Sequence, residues 1–250
     1  MCGAYLGQCF LKDKKYVDSI INRINKISDD FDFIIEIGPG KGALTKRLVN
    51  IGKPVYLLER DQSFKDILEK IVPSENIVWG DVLDLDVAKF INDNNLTIEK
   101  ALIVGNLPYY ITSPILRMFT WDTIFQNGIF MIQKEVGEKI KNDATKKSYL
   151  RWILNYSHNI KLFKNVPAKA FSPAPKVDSC LIHIQKGSTP NINREKLLRF
   201  LDIASPFKRK TLAKIFKMKA VNDMYLDENL GKKRIEELTR LDLEYILRDI

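Results

Sequence analysis

The sequence predicts an α/β fold in which helices cover both faces of a mostly parallel sheet, with a small helical appendage at the C-terminal end. Short apolar runs alternate with amphipathic stretches between Phe31 and Gln133. After Gln185 the composition shifts, and a charged, helical pattern without a clear strand begins near Arg194. We therefore expect a ligand-binding domain over residues 1–186 and a helical appendage over residues 187–250.

The predicted elements follow one another in a regular order. A first helix begins near Lys14, where apolar residues recur at helical spacing. Strands are predicted at 31–37, 54–58, 76–79, 102–105 and 128–133, with two later strands near 160–166 and 179–185. Helical patterns cover parts of 44–51, 64–71, 87–91, 113–119 and 149–156. The proline-rich stretch 167–176 predicts a loop.

The composition favours a cytoplasmic protein that binds a polyanion. The chain has 250 residues and a formal net charge of +9, and nucleic acid is the commonest partner of so basic a protein. Three dispersed cysteines without a Cys-x-x-Cys pair and two isolated histidines predict no metal site. No apolar run reaches the roughly 20 residues of a membrane span.

Candidate ligand-binding residues follow four successive strands of the predicted sheet. They are Gly38, Glu59, Asp81 and Asn106. The carboxyl ends of strands form the ligand-binding edge of an open parallel sheet, so these residues should lie together. Gly38 and Gly40 let a ligand approach the backbone closely. Glu59 follows Gly38 by about 20 residues, the spacing of an acid that accepts from both hydroxyls of a ribose.

The stretch Asn106-Leu107-Pro108-Tyr109 predicts a stiff turn with a polar and aromatic surface. Pro108 fixes its own φ and biases Leu107 away from helix. The turn therefore holds an amide, backbone carbonyls outside any strand ladder and an aromatic face in one place. Such a set of groups suits a flat, hydrogen-bonding ring such as a nucleobase.

These motifs resemble the class I S-adenosylmethionine methyltransferases, whose Rossmann-like fold has a mostly parallel seven-stranded sheet. The order of the motifs is similar to that of the ribosomal RNA adenine dimethylase family, and most closely to its small-subunit branch, known from kasugamycin sensitivity. The motifs are Gly7-Gln8-Cys9-Phe10-Leu11, Glu36-Ile37-Gly38-Pro39-Gly40-Lys41-Gly42, Gly105-Asn106-Leu107-Pro108-Tyr109, Gln133-Lys134-Glu135-Val136 and Phe171-Ser172-Pro173-Ala174-Pro175-Lys176-Val177-Asp178-Ser179.

The resemblance implies S-adenosylmethionine as the cofactor and assigns roles to individual residues. The cofactor pocket would comprise Cys9, Leu11, Gly38, Gly40, Glu59, Asp81 and Asn106. The catalytic group would comprise Asn106, Leu107, Pro108, Tyr109 and Phe171. The Asn106 side-chain oxygen and the Leu107 carbonyl would accept from the adenine amine, while Tyr109 and Phe171 would cover the two faces of the base. Position 9 departs from the family pattern, where His or Asn is usual, so any contact there should rest on backbone groups.

The implied substrate is small-subunit ribosomal RNA within an immature 30S particle. A monomeric enzyme would methylate N6 of two adjacent adenines near the 3′ end of 16S rRNA, giving N6,N6-dimethyladenine. Candidate RNA contacts are Lys169, Lys176, Lys208, Arg209 and Lys210, of which the last three begin a segment similar to one of the small-subunit branch.

Other functions share parts of this pattern. The large-subunit (23S) branch of the family, which confers antibiotic resistance, has the same core motifs. A ribosome-assembly factor whose catalysis is secondary, or a transcription factor of the same fold, would use the chain mainly for binding. A DNA N6-adenine methyltransferase usually carries Asp where this chain has Asn106, and it would need a larger recognition domain than residues 187–250.

Overall fold

A seven-stranded, mostly parallel sheet forms the centre of the computed structural model, which describes residues 9–122, 125–142, 144, 149–187 and 192–248. Gly7 and Gln8 of the first motif and Ser188 to Pro190 of the predicted linker lie outside the described residues. The strands are β1 (Phe10–Leu11), β2 (Phe33–Ile37), β3 (Val55–Glu59), β4 (Ile77–Trp79), β5 (Ala101–Asn106), β6 (Asn127–Gln133), β7 (His158–Val166), β8 (Phe171–Ser172) and β9 (Ser179–Lys186).

The strand order in the large sheet is β4-β3-β2-β5-β6-β9-β7. Strands β2 to β6 are parallel to one another, whereas β9 runs antiparallel to both of its neighbours. Strands β1 and β8 form a separate antiparallel pair, in which Leu11 is opposite Phe171. The predicted α/β class with a mostly parallel, seven-stranded sheet is therefore confirmed.

Helices cover the two faces of this sheet, as apolar strands require. Successive residues of β2 face opposite sides, so Ile34 belongs to one core cluster and Ile35 to the other. The first helix begins after Asp13, whose side chain accepts a hydrogen bond from the Lys15 amide and so caps it. The helices up to residue 154 are α1 (Lys14–Asn25), α2 (Thr45–Leu48), α3 (Lys65–Leu68), α4 (Val87–Asp93), α5 (Thr112–Arg117), α6 (Lys134–Ile140) and α7 (Tyr149–Leu154).

The part of the chain described after residue 192 is helical and contains no strand. Its helices are α8 (Arg194–Ala204), α9 (Leu212–Lys219), α10 (Glu228–Lys232) and α11 (Arg240–Ile246). They share a third core cluster with Trp121, Trp152 and Ile153 of the preceding part. The helical appendage thus packs on the π-helical turn Met118–Asp122, which follows α5, and on α7. The division of the chain near residue 187 stays a prediction.

Candidate functional site

One pocket lies at the carboxyl ends of β2, β3, β4 and β5, where the sequence predicts a ligand site. Because these strands are parallel, the residues that follow them meet at the same edge of the sheet. The pocket is lined by Cys9, Phe10, Ile37, Gly38, Gly40, Leu58, Glu59, Arg60, Gly80, Asp81, Val82, Asn106, Leu107, Pro108, Tyr109, Tyr110, Ile111 and Phe171. The structure therefore brings together every predicted cofactor or catalytic residue except Leu11.

The glycine turn after β2 leaves open space beside the backbone. Gly38 has a φ of +65°, and a Cβ added there would meet nothing within 4 Å. Gly40 has a φ of +52°, and its added Cβ would lie 2.9 Å from a ring carbon of Phe10. A side chain at position 40 would therefore collide with the Phe10 ring, whereas one at position 38 would enter open space.

Glu59 ends β3 with its carboxyl group buried beneath the glycine turn, and the residue is only 5% exposed. The Gly40 amide donates to Oε2 at 2.9 Å, and the Asp61 amide donates to Oε1 at 2.8 Å. Burial raises the pKa of the Glu59 carboxyl, while the backbone hydrogen bonds act in the opposite direction. Each oxygen keeps a lone pair for a further donor.

Asp81 follows β4 and is oriented by two donors. The Leu83 amide donates to Oδ1 at 3.1 Å, and the Arg60 guanidinium donates to Oδ2 at 2.9 Å. Sequence reasoning did not assign Arg60 to the site, because its partner lies on the next strand. Arg60 is more than half exposed, so this ion pair orients Asp81 but contributes little to stability.

Asn106, the last residue of β5, is fixed by the N-terminal segment. Its Nδ2 donates to the Cys9 carbonyl at 3.0 Å, which leaves Oδ1 free of described donors. The backbone of position 9 thus shapes the pocket. The Leu107 amide donates to the Met131 carbonyl at 3.0 Å, and no described group donates to the Leu107 carbonyl. Asn106 Oδ1 and the Leu107 carbonyl oxygen, on neighbouring residues at the end of β5, are therefore both without a described donor.

Two aromatic side chains also line the pocket. Tyr109 lies in the turn after β5, and its hydroxyl forms a hydrogen bond of 2.7 Å with the Ser179 Oγ. Phe171 is 2% exposed and belongs to β8, opposite Leu11. A further hydrogen bond holds this turn against α5, because the Thr112 hydroxyl donates to the Pro108 carbonyl at 2.9 Å.

A second, smaller cavity adjoins the first and contains the buried acid Glu36. Leu11 lines this cavity, together with Gly38 and Asn106, which line both cavities. The Thr45 hydroxyl donates to Glu36 Oε2 at 2.7 Å. Burial raises the pKa of Glu36 to about 8, against the smaller effect of the Thr45 hydrogen bond. Sequence reasoning gave Glu36 no role, although an acid two residues before Gly38 was a usable signal.

The candidate RNA contacts are all exposed, and the described residues include no ion-pair partner for them. Lys169 and Lys176 flank β8, beside the pocket wall formed by Phe171. Lys208, Arg209 and Lys210 lie between α8 and α9 in the appendage, and none of the five lines the pocket.

Neither a metal cluster nor a membrane span is found in the described part of the chain. No group of three or more His, Cys, Asp or Glu side chains could hold a metal ion there. None of the helices described is long and apolar enough to cross a membrane.

The model of the ribosomal RNA adenine dimethylase family matches residues 4–246. The chain belongs to this family. It is 35% identical to "Ribosomal RNA small subunit methyltransferase A" of Hydrogenobaculum sp. over 96% of this chain and 90% of that protein. It is also 39% identical to the "Probable ribosomal RNA small subunit methyltransferase A" of Methanococcus maripaludis strain C5, over 72% of this chain but 66% of the relative.

Solved structures agree on the fold of this dimethylase family member. A dimethyladenosine transferase from Plasmodium falciparum superposes with a TM-score of 0.74 at 23% identity, covering 95% of each chain. The 23S rRNA methyltransferase ErmE gives a TM-score of 0.63 at 24% identity, covering 84% of each chain. The predicted family and class I methyltransferase fold are thus confirmed, together with the enzyme class, a methyltransferase that uses S-adenosylmethionine.

The residues of the pocket fit this cofactor. The open space at Gly38 admits a ligand against the backbone, and the buried Glu59 carboxyl can accept from hydroxyl groups. Asp81 offers a second acceptor on the neighbouring strand, beside the apolar side chain of Val82. Glu36 supplies an acid to the adjoining cavity, where it could face an ammonium group.

Proposed function

We propose that this protein transfers methyl groups from S-adenosylmethionine to N6 of two adjacent adenines near the 3′ end of small-subunit ribosomal RNA. The substrate would be an immature 30S particle, and the enzyme would act as a monomer in the cytoplasm. The observation that carries the proposal is the pair of oxygens at Asn106 and Leu107, which no described group occupies. They lie in one pocket with Glu59 and Asp81.

The adenine amine is a poor nucleophile because its lone pair is delocalised into the ring. Asn106 Oδ1 and the Leu107 carbonyl would accept its two N–H bonds and draw the lone pair out of the ring. The hydrogen bond to Cys9 keeps Nδ2 turned away, so that Oδ1 is available. Acceptors fixed before the reaction stabilise the charge that develops on the amine.

The cofactor supplies an electrophilic methyl group on a sulfonium centre. Glu59 would accept from its ribose hydroxyls, Asp81 from its adenine amine, and the glycine turn at Gly38 would border its methionine part. These residues end adjacent strands, so the pocket is fixed by the sheet. Their contribution is positioning, which places the methyl group and the target amine in a reactive arrangement.

The target adenine would lie between Tyr109 and Phe171. A base can enter such a slot only after leaving its stack, or from a loop where it is already unstacked. Lys169 and Lys176 flank the Phe171 wall and would bind nearby phosphates, while Lys208, Arg209 and Lys210 would bind RNA farther along the particle.

The small subunit is favoured over the large subunit because the relatives that match most of this chain are named for the small-subunit enzyme. A direct comparison assays methylation of immature small subunits against naked large-subunit RNA, with the products identified by mass spectrometry. We expect N6,N6-dimethyladenine in the small-subunit RNA alone. Product in the large-subunit RNA alone would assign the chain to the antibiotic-resistance branch.

Asn106→Ala tests the acceptor role. We expect the methylation rate to fall about 100-fold or more, the usual cost of removing one preorganised hydrogen-bonding group, with some loss of cofactor affinity. Rates are measured on immature small subunits, and cofactor binding is measured by calorimetry.

Asn76→Ala is the matched control for this substitution. Asn76 also donates to a backbone carbonyl, that of Val55 at 3.1 Å, but it lies at the opposite end of the sheet. A wild-type rate in the Asn106 variant with cofactor still bound would refute the acceptor role. Wild-type protein that binds both cofactor and particle without methylating it would instead support an assembly factor.

A further inference from the structure

The two aromatic walls of the pocket are attached to the two ends of one segment, residues 171–179. Phe171 begins this segment, and its backbone pairs with Leu11. Ser179 ends it, and the Ser179 Oγ is 2.7 Å from the hydroxyl oxygen of Tyr109. The segment therefore contains Phe171, which forms one wall, and contacts the hydroxyl of Tyr109, which forms the other.

Ser179 is buried within the sheet and is held by a neighbouring strand on each side. It has no exposed surface, and it is paired with Gln133 of β6 on one side and Val166 of β7 on the other. The residue before it is also fixed, because the Asp178 carbonyl accepts from the Lys134 amide at 3.0 Å. The Ser179 hydroxyl is thus presented from a rigid position.

Tyr109, by contrast, lies in a turn and is only partly buried. The orientation of its ring depends on two side-chain torsions, and its hydroxyl is the atom farthest from the backbone. A hydrogen bond at that atom restrains both torsions. Burial also raises the pKa of the Tyr109 hydroxyl, which favours its protonated form.

We propose that Ser179 is a positioning residue, which fixes the plane of the Tyr109 ring against which the target adenine stacks. This inference rests on the proposed function, since it requires a base in the slot. Residues 171–179 would then set both walls, and the amine would meet Asn106 and Leu107 in a narrow range of orientations. The requirement is stricter for the second methyl transfer, because a monomethylated amine has a single N–H left to present.

The expected consequence is a loss in kcat with little change in KM. Ser179→Ala and Tyr109→Phe each remove the hydrogen bond while keeping the ring that stacks. A net hydrogen bond of about 1 kcal/mol corresponds to roughly a fivefold change in rate. We expect each variant to lose about fivefold in kcat on immature small subunits, with KM for the particle within about twofold. The fraction of monomethylated product should rise.

The double variant and a matched control separate this role from a structural one. If both side chains act through one bond, Ser179→Ala with Tyr109→Phe should be no slower than the slower single variant. Ser157→Ala removes another buried serine hydroxyl, which lies 3.0 Å from the His158 ring nitrogen at the other end of the β7–β9 ladder. It should keep the wild-type product ratio.

The same measurements also define the results that would overturn the positioning role of Ser179. Unchanged kcat and product ratio in both single variants, or losses that multiply in the double variant, would overturn it. Tyrosine labelled with ¹³C at Cζ gives a readout without RNA, since the Tyr109 signal should shift in Ser179→Ala and stay in Ser157→Ala. An unshifted signal also overturns the proposal. Wild-type protein that fails to methylate the particle, with the signal shifted, would refute the proposed function and leave the hydrogen bond established.

Discussion

Glu36 is the residue whose ionisation is most strongly altered by its surroundings among those lining the two cavities. It is 3% exposed, and the only described donor to its carboxyl group is the Thr45 hydroxyl. Its pKa is about 8, against an ordinary value of 4.5, because burial disfavours the charged form. The folded protein therefore keeps a proton on Glu36 at pH values where the unfolded chain has lost it.

This proton makes the stability contribution of Glu36 depend on pH. Between pH 4.5 and about 8 the folded state binds one proton more than the unfolded state, so the free energy of unfolding falls as pH rises. Glu36→Gln keeps a neutral acceptor for Thr45 and removes this dependence. We expect the variant to gain roughly 1–4 kcal/mol relative to wild type between pH 5 and pH 8.5, since one pKa unit is about 1.4 kcal/mol.

Urea unfolding at a series of pH values measures this difference. Glu75→Gln, at an exposed position outside both cavities, is the control, and its curve should run parallel to that of the wild type. If the free energy of unfolding of Glu36→Gln also runs parallel to that of the wild type across this pH range, Glu36 is ionised in the folded protein.

At the scale of elements, Gly38 in the turn after β2 combines a left-handed backbone conformation with a place in the lining of the ligand pocket. Gly38 and Gly52 both have positive φ values, +65° and +82°, and an added Cβ would meet nothing within 4 Å at either position. Gly38 lines the pocket, whereas Gly52 follows a turn of 3₁₀ helix away from it. The two positions therefore share the backbone strain of an alanine but differ in their access to the ligand.

Alanine substitution should separate these effects. Gly38→Ala and Gly52→Ala should each destabilise the protein by about 1–2 kcal/mol, the cost of a left-handed conformation for a residue with a Cβ. Only Gly38→Ala should weaken S-adenosylmethionine binding, by about tenfold or more, because its methyl group occupies ligand space. Thermal melting and calorimetry give the two quantities. Equal cofactor affinities in the two variants would remove Gly38 from the cofactor site.

Elements with a strong local pattern were predictable from the sequence. The apolar runs of β2, β3 and β5 predicted strands within about two residues of their observed bounds. Helix α6 was missed, because Lys134–Ile140 begins with charged residues and follows a strand without a turn signal. The predicted helix over 113–119 is instead α5 followed by a π-helical turn at Met118–Asp122.

Long-range contacts were the part of the site that the sequence did not predict. The strand-end rule placed Gly38, Glu59, Asp81 and Asn106 at one edge of the sheet, and all four line the same pocket. The pairing of β1 with β8 and the hydrogen bond between Tyr109 and Ser179 join segments far apart in the chain. No local pattern encodes such contacts, because they depend on strand order and on the antiparallel insertion of β9 between β6 and β7.

At the scale of the whole molecule, the candidate RNA contacts lie on two surfaces. Lys169 and Lys176 form one beside the pocket, and the helical appendage provides the other. Lys208, Arg209 and Lys210 precede α9, whose exposed residues include Lys214 and Lys217. The third core cluster fixes these helices on the π-helical turn that follows α5 and on α7. A particle that reaches both surfaces would bind across an extended area, so affinity would depend on charges far from the chemistry.

Substituting Lys208, Arg209 and Lys210 together by Gln tests this. Each phosphate contact adds about one to the slope of log affinity against log salt, so the slope for small-subunit particles should fall by about two to three. Lys70, Lys89 and Lys100 are also exposed, so their triple Gln variant changes the net charge equally. That control should keep the wild-type slope, because those lysines lie elsewhere. Equal slopes in the two variants would show that net charge, rather than this basic segment, drives binding.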